Sequence, residues 1–455
     1  MNKRYLREKS ILYLFKVIIT LLITGSMFLV WFFCYNPNIN LPFYAKGHYL
    51  MVAVFMVIYL VFTKVYGAFM VGTASVIDLI FSQIIAVGFT VGSSYAIFTL
   101  LSYKLVNPVP LIIFFFVFSV VAALLCYFAD KVYFSLHKAK ETIVIFGNKE
   151  SYESLKGLKG MTKRFVVKET YDCEKTTLDF LFKKVKGFDA VFMCGVPSDY
   201  RNEILKYCIA NDIACFIKPK ISDTIIRGGK TIQMMNVPVY RCKRGDAGFI
   251  YLAAKRFFDV ILSLIAIVIS SPFMLITAAA IKFYDGGKVF YRQTRLTKDA
   301  KEFEVIKFRS MIQDAEKDGV ARLAKDGDSR ITPVGKIIRM LRLDELPQLF
   351  NILKGDMSFV GPRPERPEIA KQYEKDMPEF ALRLQVKAGL TGYSQVYGKY
   401  NTPTYDKVQM DLMYVANQSI IEDLKLILMT FKILFIPSST EGVSADQTTA
   451  KKEND

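Results

Sequence analysis

Four long apolar stretches open the sequence and restrict its fold more than any other feature. They cover residues 11–35, 48–66, 75–101 and 109–129. At about 1.5 Å of helix per residue, each is long enough to cross a hydrocarbon core about 30 Å thick. The first is too long, and too closely followed by others, for a cleaved signal peptide. The pattern therefore predicts a transmembrane region of four helices over residues 1–135.

Basic residues on both sides of this region predict its orientation. Before the first stretch lie Lys3, Arg4, Arg7 and Lys9, and after the fourth lie Lys131, Lys138 and Lys140. Because cytoplasmic flanks of membrane helices carry the excess of Lys and Arg, both ends of the region are expected in the cytoplasm. The seven cysteines are scattered without a CxxC pair, as is typical of a compartment where thiols stay reduced.

The charge of the chain predicts an anionic partner. The formal net charge is +18 at pH 7, and the sequence isoelectric point is about 9.3. Lipid headgroups and phosphorylated substrates are both candidates. Nucleic acid is not expected as a partner, because the chain is membrane-bound and carries no nucleic-acid-binding motif.

From Glu141 onward, short apolar runs alternate with amphipathic segments. Residues 142–158 indicate strand, turn and helix; strands are also predicted near 190–193 and 214–217, with a helix near 199–211 between them. Such alternation is typical of a small parallel α/β domain, placed here at 136–245. The first turn contains only Gly147, whereas a dinucleotide-binding fingerprint needs several glycines. We therefore expect a structural or regulatory module without a bound dinucleotide.

A fifth apolar run, residues 257–281, is also long enough to cross a membrane. Basic residues flank it on both sides, so a spanning helix would place one basic flank outside the cell, against the charge rule. Pro272 breaks or kinks a helix, and Ser270 or Ser271 can satisfy the freed carbonyl. These features predict a re-entrant helix over 246–284 that enters and leaves on the same leaflet. The alternative is a kinked fifth span with an external C-terminal domain.

A soluble region is expected over 285–437. The residue types that it lacks limit the chemistry that it can catalyse. The chain has only two histidines, and neither His nor Cys occurs after Cys242. A histidine base, a thiolate nucleophile and a His-rich metal site are therefore excluded there. Carboxylates, Lys, Arg, Tyr and hydroxyl groups remain. The polar tail, 438–455, is expected to be disordered.

Two adjacent carboxylates, Asp344 and Glu345, lie in the segment LDELPQL. A short helix is predicted before them, and a second helix from about 345 to 353 that ends at a Lys-Gly pair. Asp344 is then predicted at the N-cap of the second helix, with Pro347 tolerated in its first turn. A helix cap is one complete explanation of this pair, and the reacting groups of an enzyme are the other.

Cations around the pair favour the second explanation. They are Lys307, Arg309, Lys336, Arg339, Arg342, Lys354 and Arg363. Carboxylates among guanidinium groups are expected to stay ionised and therefore nucleophilic, and the same arginines suit phosphate groups. One carboxylate can attack phosphorus while a second holds Mg²⁺, because phosphoryl transfer relies mainly on positioning and charge neutralisation. Such chemistry needs no histidine.

Several long motifs follow one another between about residues 255 and 434. They are KRFFDV, SSPF, FYRQTR, KFRSM, DSRITPVGKIIR, LDELPQLFNILKGDMSFVGPRPE and GLTGYSQVYGK. Together they resemble the bacterial sugar transferase family, the polyprenyl-phosphate sugar-1-phosphate transferases. The preceding helices and α/β domain resemble the long form of that family, which initiates capsule, exopolysaccharide or O-antigen synthesis. The fold implied is a membrane α/β protein with a four-helix transmembrane bundle, a small Rossmann-like α/β domain and an α-rich catalytic domain anchored by a re-entrant membrane helix.

The resemblance implies a two-step reaction at the cytoplasmic face of the bacterial inner membrane. A UDP-sugar binds through Mg²⁺, and Asp344 attacks its β-phosphate, which releases UMP and leaves a covalent sugar-phosphate. Undecaprenyl phosphate then accepts the sugar-phosphate and becomes a diphosphate-linked lipid. Glucose or galactose is the sugar expected from the long form, and an N-acetylated sugar stays open.

The resemblance also implies roles for individual residues. Asp344 is the expected nucleophile, and Glu345 is the expected Mg²⁺ ligand. Four cations are expected to bind the phosphate or nucleotide groups of the substrates, namely Lys307, Arg309, Arg339 and Arg363. Four residues of the membrane helix complete the set: Lys255 and Arg256 at the lipid headgroups, and Ser271 and Pro272 at the helix break.

Two loops depart from the family pattern. DGGK at 285–288 replaces a Ser/Gly/Pro turn, and TKDAKE at 297–302 replaces a glycine-rich turn. Neither includes the carboxylate pair, so they bear on loop shape or sugar choice and not on the type of reaction. Two other functions stay open, an inactive assembly or regulatory scaffold and a transporter built on the four spans. The membrane helices and the α/β domain offer surfaces for a homodimer, although the sequence does not fix the oligomeric state.

Overall fold

The computed structural model describes residues 3–39, 41–147, 152, 163–244, 247–313, 315, 328–398 and 402–434. The chain divides into two compact units, Met1–Pro219 and Lys220–Asp455. This division falls earlier than the end of the α/β domain expected at 245. The helix expected just after the first strand, and the tail expected to be disordered, lie outside the described residues.

Four helices of the N-terminal unit carry the four apolar stretches. They are α1 (Lys3–Val30), α2 (Lys46–Tyr66), α3 (Val76–Ser102) and α4 (Val109–Leu136). A π-helical turn over Trp31–Tyr35 extends α1. Consecutive helices pack on one another, and α1 also packs on α4. Each is long and apolar enough to cross a membrane, so the predicted series of apolar helices is confirmed.

Large apolar side chains fill the space between these helices, while others remain exposed. Trp31, Phe55 and Phe98 are fully buried, and the ring centroids of Trp31 and Phe98 lie 4.9 Å apart. Leu21 and Phe116 are more than half exposed. Water-soluble domains seldom expose extended apolar surfaces, whereas lipid acyl chains are as apolar as these side chains. The outer surface of the four helices therefore suits a bilayer.

A four-stranded parallel sheet follows in the same unit. Its strands are β1 (Lys140–Phe146), β2 (Phe165–Asp172), β3 (Ala190–Cys194) and β4 (Ala214–Ile217), in the order β2-β1-β3-β4. Helices α5 (Leu178–Val185) and α6 (Ser198–Ala210) connect β2 to β3 and β3 to β4. Ile143 and Val191 of the sheet pack against Leu181 and Ile204 of these helices. The predicted parallel α/β domain is confirmed.

Packing accounts for Gly147, the single glycine of the first turn. A Cβ atom at this position would collide with the backbone of Gly195, which follows β3. Gly195 has a φ of 67°, in the left-handed region that favours glycine. The two glycines therefore let the ends of β1 and β3 approach each other closely.

The C-terminal unit is built on α8 (Phe249–Asp285), a helix of 37 residues. Before it lie α7 (Ile221–Arg227) and an antiparallel hairpin, β5 (Lys230–Met234) and β6 (Val237–Arg241). After it come the antiparallel β7 (Phe290–Leu296) and β8 (Glu302–Phe308), α9 (Pro333–Met340), α10 (Gln348–Lys354), β9 (Ser358–Val360), α11 (Pro367–Asp376), β10 (Gly389–Thr391), α12 (Tyr393–Val396), α13 (Thr404–Ala416) and α14 (Ile420–Leu434). β9 and β10 form a parallel pair.

Two apolar clusters fix the helices on either side of the carboxylate pair. In one, Val305 of β8 packs with Ile352 of α10. In the other, Phe308 of β8 packs with Ile281 of α8 and Ile338 of α9. Because both clusters include β8, this strand sets the positions of α9 and α10 relative to each other.

α8 continues across Pro272, so the break predicted at Ser271 and Pro272 does not interrupt the helix. Proline has no N–H, so the carbonyl of Val268 loses its usual helical donor. The Ser271 hydroxyl donates to this carbonyl, with 2.8 Å between the two oxygens. The prediction that a serine of this segment satisfies the freed carbonyl is confirmed. This local compensation explains how the helix tolerates a proline.

The segment after Lys220 packs into the core of the C-terminal unit. Ile221 of α7 is only 5% exposed and joins an apolar cluster with Phe380, Val408 and Leu412. Its backbone N–H also donates to the Tyr405 hydroxyl at 3.3 Å. This packing is the physical reason why the boundary between the units precedes residue 245.

Candidate active site

The carboxylate pair lies in a tight turn between α9 and α10. Thr332 caps α9, because its hydroxyl oxygen accepts the Gly335 N–H at 2.9 Å. Arg342 adopts the left-handed conformation (φ 57°, ψ 19°), and Leu343–Glu345 then form a 3₁₀ turn. Gly355, with φ 100°, ends α10, as the Lys-Gly pair predicts.

The prediction that Asp344 caps the second helix is wrong. That α-helix begins at Gln348, after Pro347, and has no side-chain cap hydrogen bond. The left-handed Arg342 starts a tighter turn first, so Asp344 lies inside the 3₁₀ turn and not at the helix N-terminus. A capping role therefore does not account for the pair.

Glu345 is held by three cations from three parts of the chain. Its Oε1 atom lies 3.2 Å from Lys307 Nζ on β8 and 3.0 Å from Arg363 Nη2 in the loop after β9. Its Oε2 atom lies 3.8 Å from Arg342 Nη1. The Glu345 side chain is only 14% exposed, so water screens these charge pairs weakly. Contacts of this kind favour the ionised carboxylate.

Asp344 differs from Glu345 in its contacts and in its pKa. Within the described part of the chain, no hydrogen-bond donor reaches its carboxylate. Burial raises the pKa of Asp344 to about 6, and the neighbouring Glu345 charge adds to the rise. Burial acts in the same direction on Glu345, but cations, with Lys307 first among them, hold the pKa of Glu345 well below its usual range. The expected ionisation therefore applies fully to Glu345, while about nine-tenths of Asp344 is ionised at pH 7.

Lys307 reaches the pair from β8, and Asn351 fixes that strand against α10. The Asn351 side chain accepts the Ile306 N–H at 3.0 Å and donates to the Glu304 carbonyl at 2.7 Å. Burial lowers the pKa of Lys307, while the charge of Glu345 opposes this change. The strand thus delivers a partly desolvated ammonium group to the carboxylate pair.

Arg363 reaches the pair from the loop 361–366, whose backbone is held on both sides. The Gly361 N–H donates to the Thr391 carbonyl at 2.9 Å. Arg295 of β7 donates to the Pro364 carbonyl at 3.2 Å. The charge of Glu345 raises the pKa of Arg363, so the ion pair favours both charged forms.

The other two predicted phosphate-binding cations have different surroundings. Arg339 on α9 is close enough to Asp344 to lower its pKa, against the effect of burial. Arg309 is buried, and both terminal nitrogens of its guanidinium donate to Asp285 at the end of α8. The structure therefore brings Lys307, Arg339 and Arg363 to the carboxylate pair. The hydrogen bonds of Arg309 instead go to Asp285, the last residue of α8.

The two cations expected at lipid headgroups have protein partners. Lys255 Nζ lies 2.8 Å from Asp423 Oδ2 of α14, and both side chains are largely buried. Arg256 donates to the carbonyls of Ile352 and Leu353, each at 2.7 Å. Carbonyls in the last turn of a helix lack an intrahelical donor, so Arg256 satisfies the end of α10. Both cations join α8 to other elements of its unit.

Three further arginines support the site although the sequence motifs do not assign them a role. Arg342 is the adjacent cation in LRLDE, and Arg295 lies in the FYRQTR segment, so a local signal exists for both. Arg383 donates to the carbonyl of Arg363 at 2.7 Å. No local signal marks Arg383, because only the fold brings it to the Arg363 loop.

Glu345 is the candidate metal ligand. Among the described residues, no group of three or more His, Cys, Asp or Glu side chains is placed to hold a metal ion. Mg²⁺ takes one or two carboxylates together with water and substrate phosphates. The single carboxylate of Glu345 therefore fits Mg²⁺ that is bound together with a phosphorylated substrate.

Comparison with known proteins identifies the C-terminal region. Residues 250–437 match the family model described as bacterial sugar transferase. Over 188 residues, 41% of this chain and 44% of the relative, the chain is 42% identical to the UDP-N-acetylgalactosamine-undecaprenyl-phosphate N-acetylgalactosaminephosphotransferase of Aeromonas hydrophila. Over 226 residues, 49% of this chain and 48% of the relative, it is 38% identical to the UDP-glucose:undecaprenyl-phosphate glucose-1-phosphate transferase of Klebsiella pneumoniae.

A shorter relative is covered more completely. The chain is 36% identical over 191 residues to the exopolysaccharide production protein ExoY of Rhizobium meliloti (strain 1021), covering 39% of this chain and 83% of that protein. In contrast, the match spans less than half of the length of the Aeromonas and Klebsiella relatives. The family-model match over residues 250–437 lies within the unit that holds the carboxylate pair.

Proposed function

The chain belongs to the bacterial sugar transferase family, and from that premise we propose that it transfers a sugar 1-phosphate from a UDP-sugar to undecaprenyl phosphate. The carboxylate pair is the main support for the proposal. Asp344 has no hydrogen-bond donor among the described residues, and the neighbouring Glu345 forms ion pairs with Lys307 and Arg363. Relatives named for undecaprenyl-phosphate sugar-phosphate transfer support the choice of substrates. The reaction would be the first membrane step of capsule, exopolysaccharide or O-antigen synthesis.

In the first step, an Asp344 carboxylate oxygen attacks the β-phosphorus of the UDP-sugar. The bond from that phosphorus to the oxygen bridging the two phosphates breaks, and its electron pair leaves with UMP. The sugar phosphate stays on Asp344 as an acyl phosphate. A pKa of about 6 supports this role, because most of the group is ionised at pH 7 and therefore nucleophilic.

In the second step, a phosphate oxygen of undecaprenyl phosphate attacks the same phosphorus. The bond between phosphorus and Asp344 breaks, so the carboxylate is regenerated and the lipid gains a diphosphate-linked sugar. Both attacking groups are anions, so neither step needs a general base, consistent with the lack of histidine after Cys242. Lys307, Arg339 and Arg363 would neutralise phosphate charge in both steps.

Mg²⁺ would be held by Glu345 together with phosphate oxygens of the UDP-sugar. When bound, it would supply further neutralisation of the diphosphate charge. Lys307, Arg363 and Arg342 keep Glu345 ionised, which is the form that a metal ligand requires.

We infer a membrane arrangement in which α1–α4 form a transmembrane bundle and α8 is re-entrant. Lys255 near the start of α8 pairs with Asp423, and Asp285 at its end pairs with Arg309. A straight helix would separate these two points by about 45 Å, more than the hydrocarbon thickness. If α8 spanned the membrane, Lys255 and Asp285 would therefore lie on opposite sides of it. Both partners belong to one compact unit, which supports entry and exit on one leaflet. The catalytic region would then lie on the cytoplasmic face of the bacterial inner membrane.

Cysteine labelling tests this arrangement. In a variant depleted of the seven native cysteines, a cysteine just beyond Ile281 is expected to react with a membrane-impermeant maleimide only from the cytoplasmic side. Asn38→Cys, between α1 and α2, is the matched control that should react only from the periplasmic side. Periplasmic labelling beyond Ile281 would favour the alternative of a fifth span.

A UMP-release assay tests the reaction itself. The purified chain is mixed with undecaprenyl phosphate, Mg²⁺ and each of several UDP-sugars. The panel includes UDP-glucose, UDP-galactose and the N-acetylated sugars, since relatives are named for both classes. At least one sugar is expected to give UMP. UMP from none would favour a scaffold function, and transport that survives deletion of 255–455 would favour the transporter.

Asp344→Asn tests the nucleophile in the same assay. We expect UMP release to fall by at least about 10³-fold, because an amide oxygen cannot replace the carboxylate nucleophile. Asp199→Asn is the control, since Asp199 is exposed at the start of α6 in the other unit. UMP release by Asp344→Asn at the wild-type rate would exclude the assignment of this residue.

A further inference from the structure

The position of Arg363 depends on the backbone that carries it. The Arg363 side chain is 48% exposed. Surrounding side chains therefore do not hold it in place in the way that they hold a buried residue. Its carbonyl oxygen accepts a hydrogen bond from Arg383 Nη2 at 2.7 Å. Arg383 lies in the 3₁₀ segment Pro378–Gln385 and is only 6% exposed. A buried guanidinium therefore holds the backbone of the residue that reaches Glu345.

Arg383 is itself oriented by Asp411. The same Nη2 atom lies 2.7 Å from Asp411 Oδ2, on α13, and the two side chains are 8% and 1% exposed. The guanidinium carbon also lies 5.0 Å from the centre of the Phe380 ring. One nitrogen thus joins the Asp411 carboxylate to the Arg363 carbonyl, and its position is fixed by an ion pair on one side and a ring on the other.

The stability of the fold does not by itself explain this ion pair. Removing two charges from water costs several kcal/mol per ion, and apolar residues of similar volume in place of a buried pair are often neutral or stabilising. The pair nevertheless lies in the interior of the unit, with the Arg383 guanidinium against the Phe380 ring. Its distinguishing feature is the third partner, the Arg363 carbonyl.

We propose that Arg383, oriented by Asp411, is a positioning residue that holds the 361–366 loop so that Arg363 reaches Glu345. The polar partners described for Arg383 are the Arg363 carbonyl and Asp411, so its effect on the carboxylate pair passes through the loop. The consequence for catalysis rests on the proposed function, whereas the effect on the loop does not.

The first part of the test measures the loop without any substrate. Arg383→Met/Asp411→Leu removes both charges of this ion pair together, so neither is left facing an empty partner position. Hydrogen exchange, read by mass spectrometry on peptides that cover 361–366, is expected to become faster in this variant. Arg330→Met/Asp328→Leu removes another partly buried ion pair of the same unit and is expected to leave exchange in this loop unchanged. Exchange in the loop at the wild-type rate would overturn the proposal.

The second part measures UMP release as a mutant cycle. Arg383→Met/Asp411→Leu is expected to lower kcat/KM by about 10²-fold, since small misplacements of a catalytic group cost about that much. Arg363→Met is expected to lower it similarly, and the variant with all three changes should be no worse than Arg363→Met alone. A structural defect that does not act through Arg363 would instead multiply the two effects, and that result would overturn the proposal.

Arg383→Lys covers the case in which the doubly substituted protein does not fold. It keeps the charge but loses the planar guanidinium, so we expect a loss in kcat/KM of about 10-fold that also disappears when Arg363 is Met. If the wild-type chain releases no UMP from any UDP-sugar, the proposed function fails, and the exchange measurement still decides the positioning role. The two failures are therefore distinguishable.

Discussion

The carboxylate pair and the two ends of α8 use the same residue types but differ in charge balance. At each end of α8, one cation meets one carboxylate: Lys255 meets Asp423, and Arg309 meets Asp285. At the pair, Glu345 alone meets three cations, and Asp344 has no donor among the described residues. A balanced pair joins two elements and is then complete. A cluster with excess positive charge retains capacity for a further anion, as a phosphate-binding site requires.

Removing the charge of Glu345 should have the largest effect on this comparison. For Glu345→Gln we expect UMP release to fall by about 10³-fold at saturating Mg²⁺, because the carboxylate would hold the ion and orders three cations. Glu304→Gln is the control, since Glu304 lies on β8 but is exposed and pairs only loosely with Arg292. A decrease in UMP release of less than about tenfold would show that catalysis does not depend on the Glu345 carboxylate.

Two cations two residues apart sharpen the comparison further. Lys307→Met is expected to lower kcat/KM by about 10²-fold with little change in thermal unfolding, because Lys307 belongs to the unbalanced cluster. Arg309→Met is expected to lower the unfolding midpoint, because the largely buried Arg309 joins the end of α8 to the rest of its unit through Asp285. Rates per folded molecule and unfolding midpoints separate the two effects. Equal losses of kcat/KM would contradict the distinction.

The titration of Asp344 gives a smaller and graded effect. Since its pKa is raised to about 6, its proton is retained to higher pH than in an ordinary aspartate, and the nucleophilic anion is lost as pH falls through about 6. In metal-free protein, esterification by a diazo amide, which needs the protonated acid, should be about tenfold greater at pH 5 than at pH 7. Peptide mass spectrometry locates the ester, and equal labelling at both pH values would contradict the raised pKa.

The exposed pair of Arg244 and Asp299 should show the smallest effect. Its atoms lie 2.9 Å apart, but both side chains are more than half exposed, where water screens the attraction. Arg244→Ala is expected to leave the unfolding midpoint unchanged within error in a thermal melt. A clear loss of stability would mean that charge balance alone does not distinguish the ion pairs of this chain.

Periodicity and local composition predict most of the fold. The apolar helices, the parallel α/β domain and the helix end at Gly355 follow from patterns within single segments. The strands and helix expected over 190–217 lie within one residue of their observed bounds. The N-cap at Asp344 is wrong because no pattern reveals the left-handed Arg342 that starts a 3₁₀ turn.

The site is less predictable than the fold, because its contacts join distant segments. The sequence locates the carboxylates and the surrounding cations but cannot tell which cation meets which acid. Arg309 is expected to bind phosphate, but in the structure it pairs with Asp285. The β7–β8 hairpin separates these two residues in the sequence. Lys255 is expected at the lipid headgroups, but in the structure it pairs with Asp423, which is distant in the sequence. Arg383 carries no local signal at all.

The packing of α7 has a consequence for the minimal active fragment. Ile221 fills part of the apolar core between Phe380 and α13, and Gly228 lies so close to Ala416 that a Cβ atom there would collide with it. A fragment that begins where the family similarity begins, near residue 250, would expose this core to water and leave α13 without one of its supports. Truncations intended for assay should therefore start before Lys220 and keep α7.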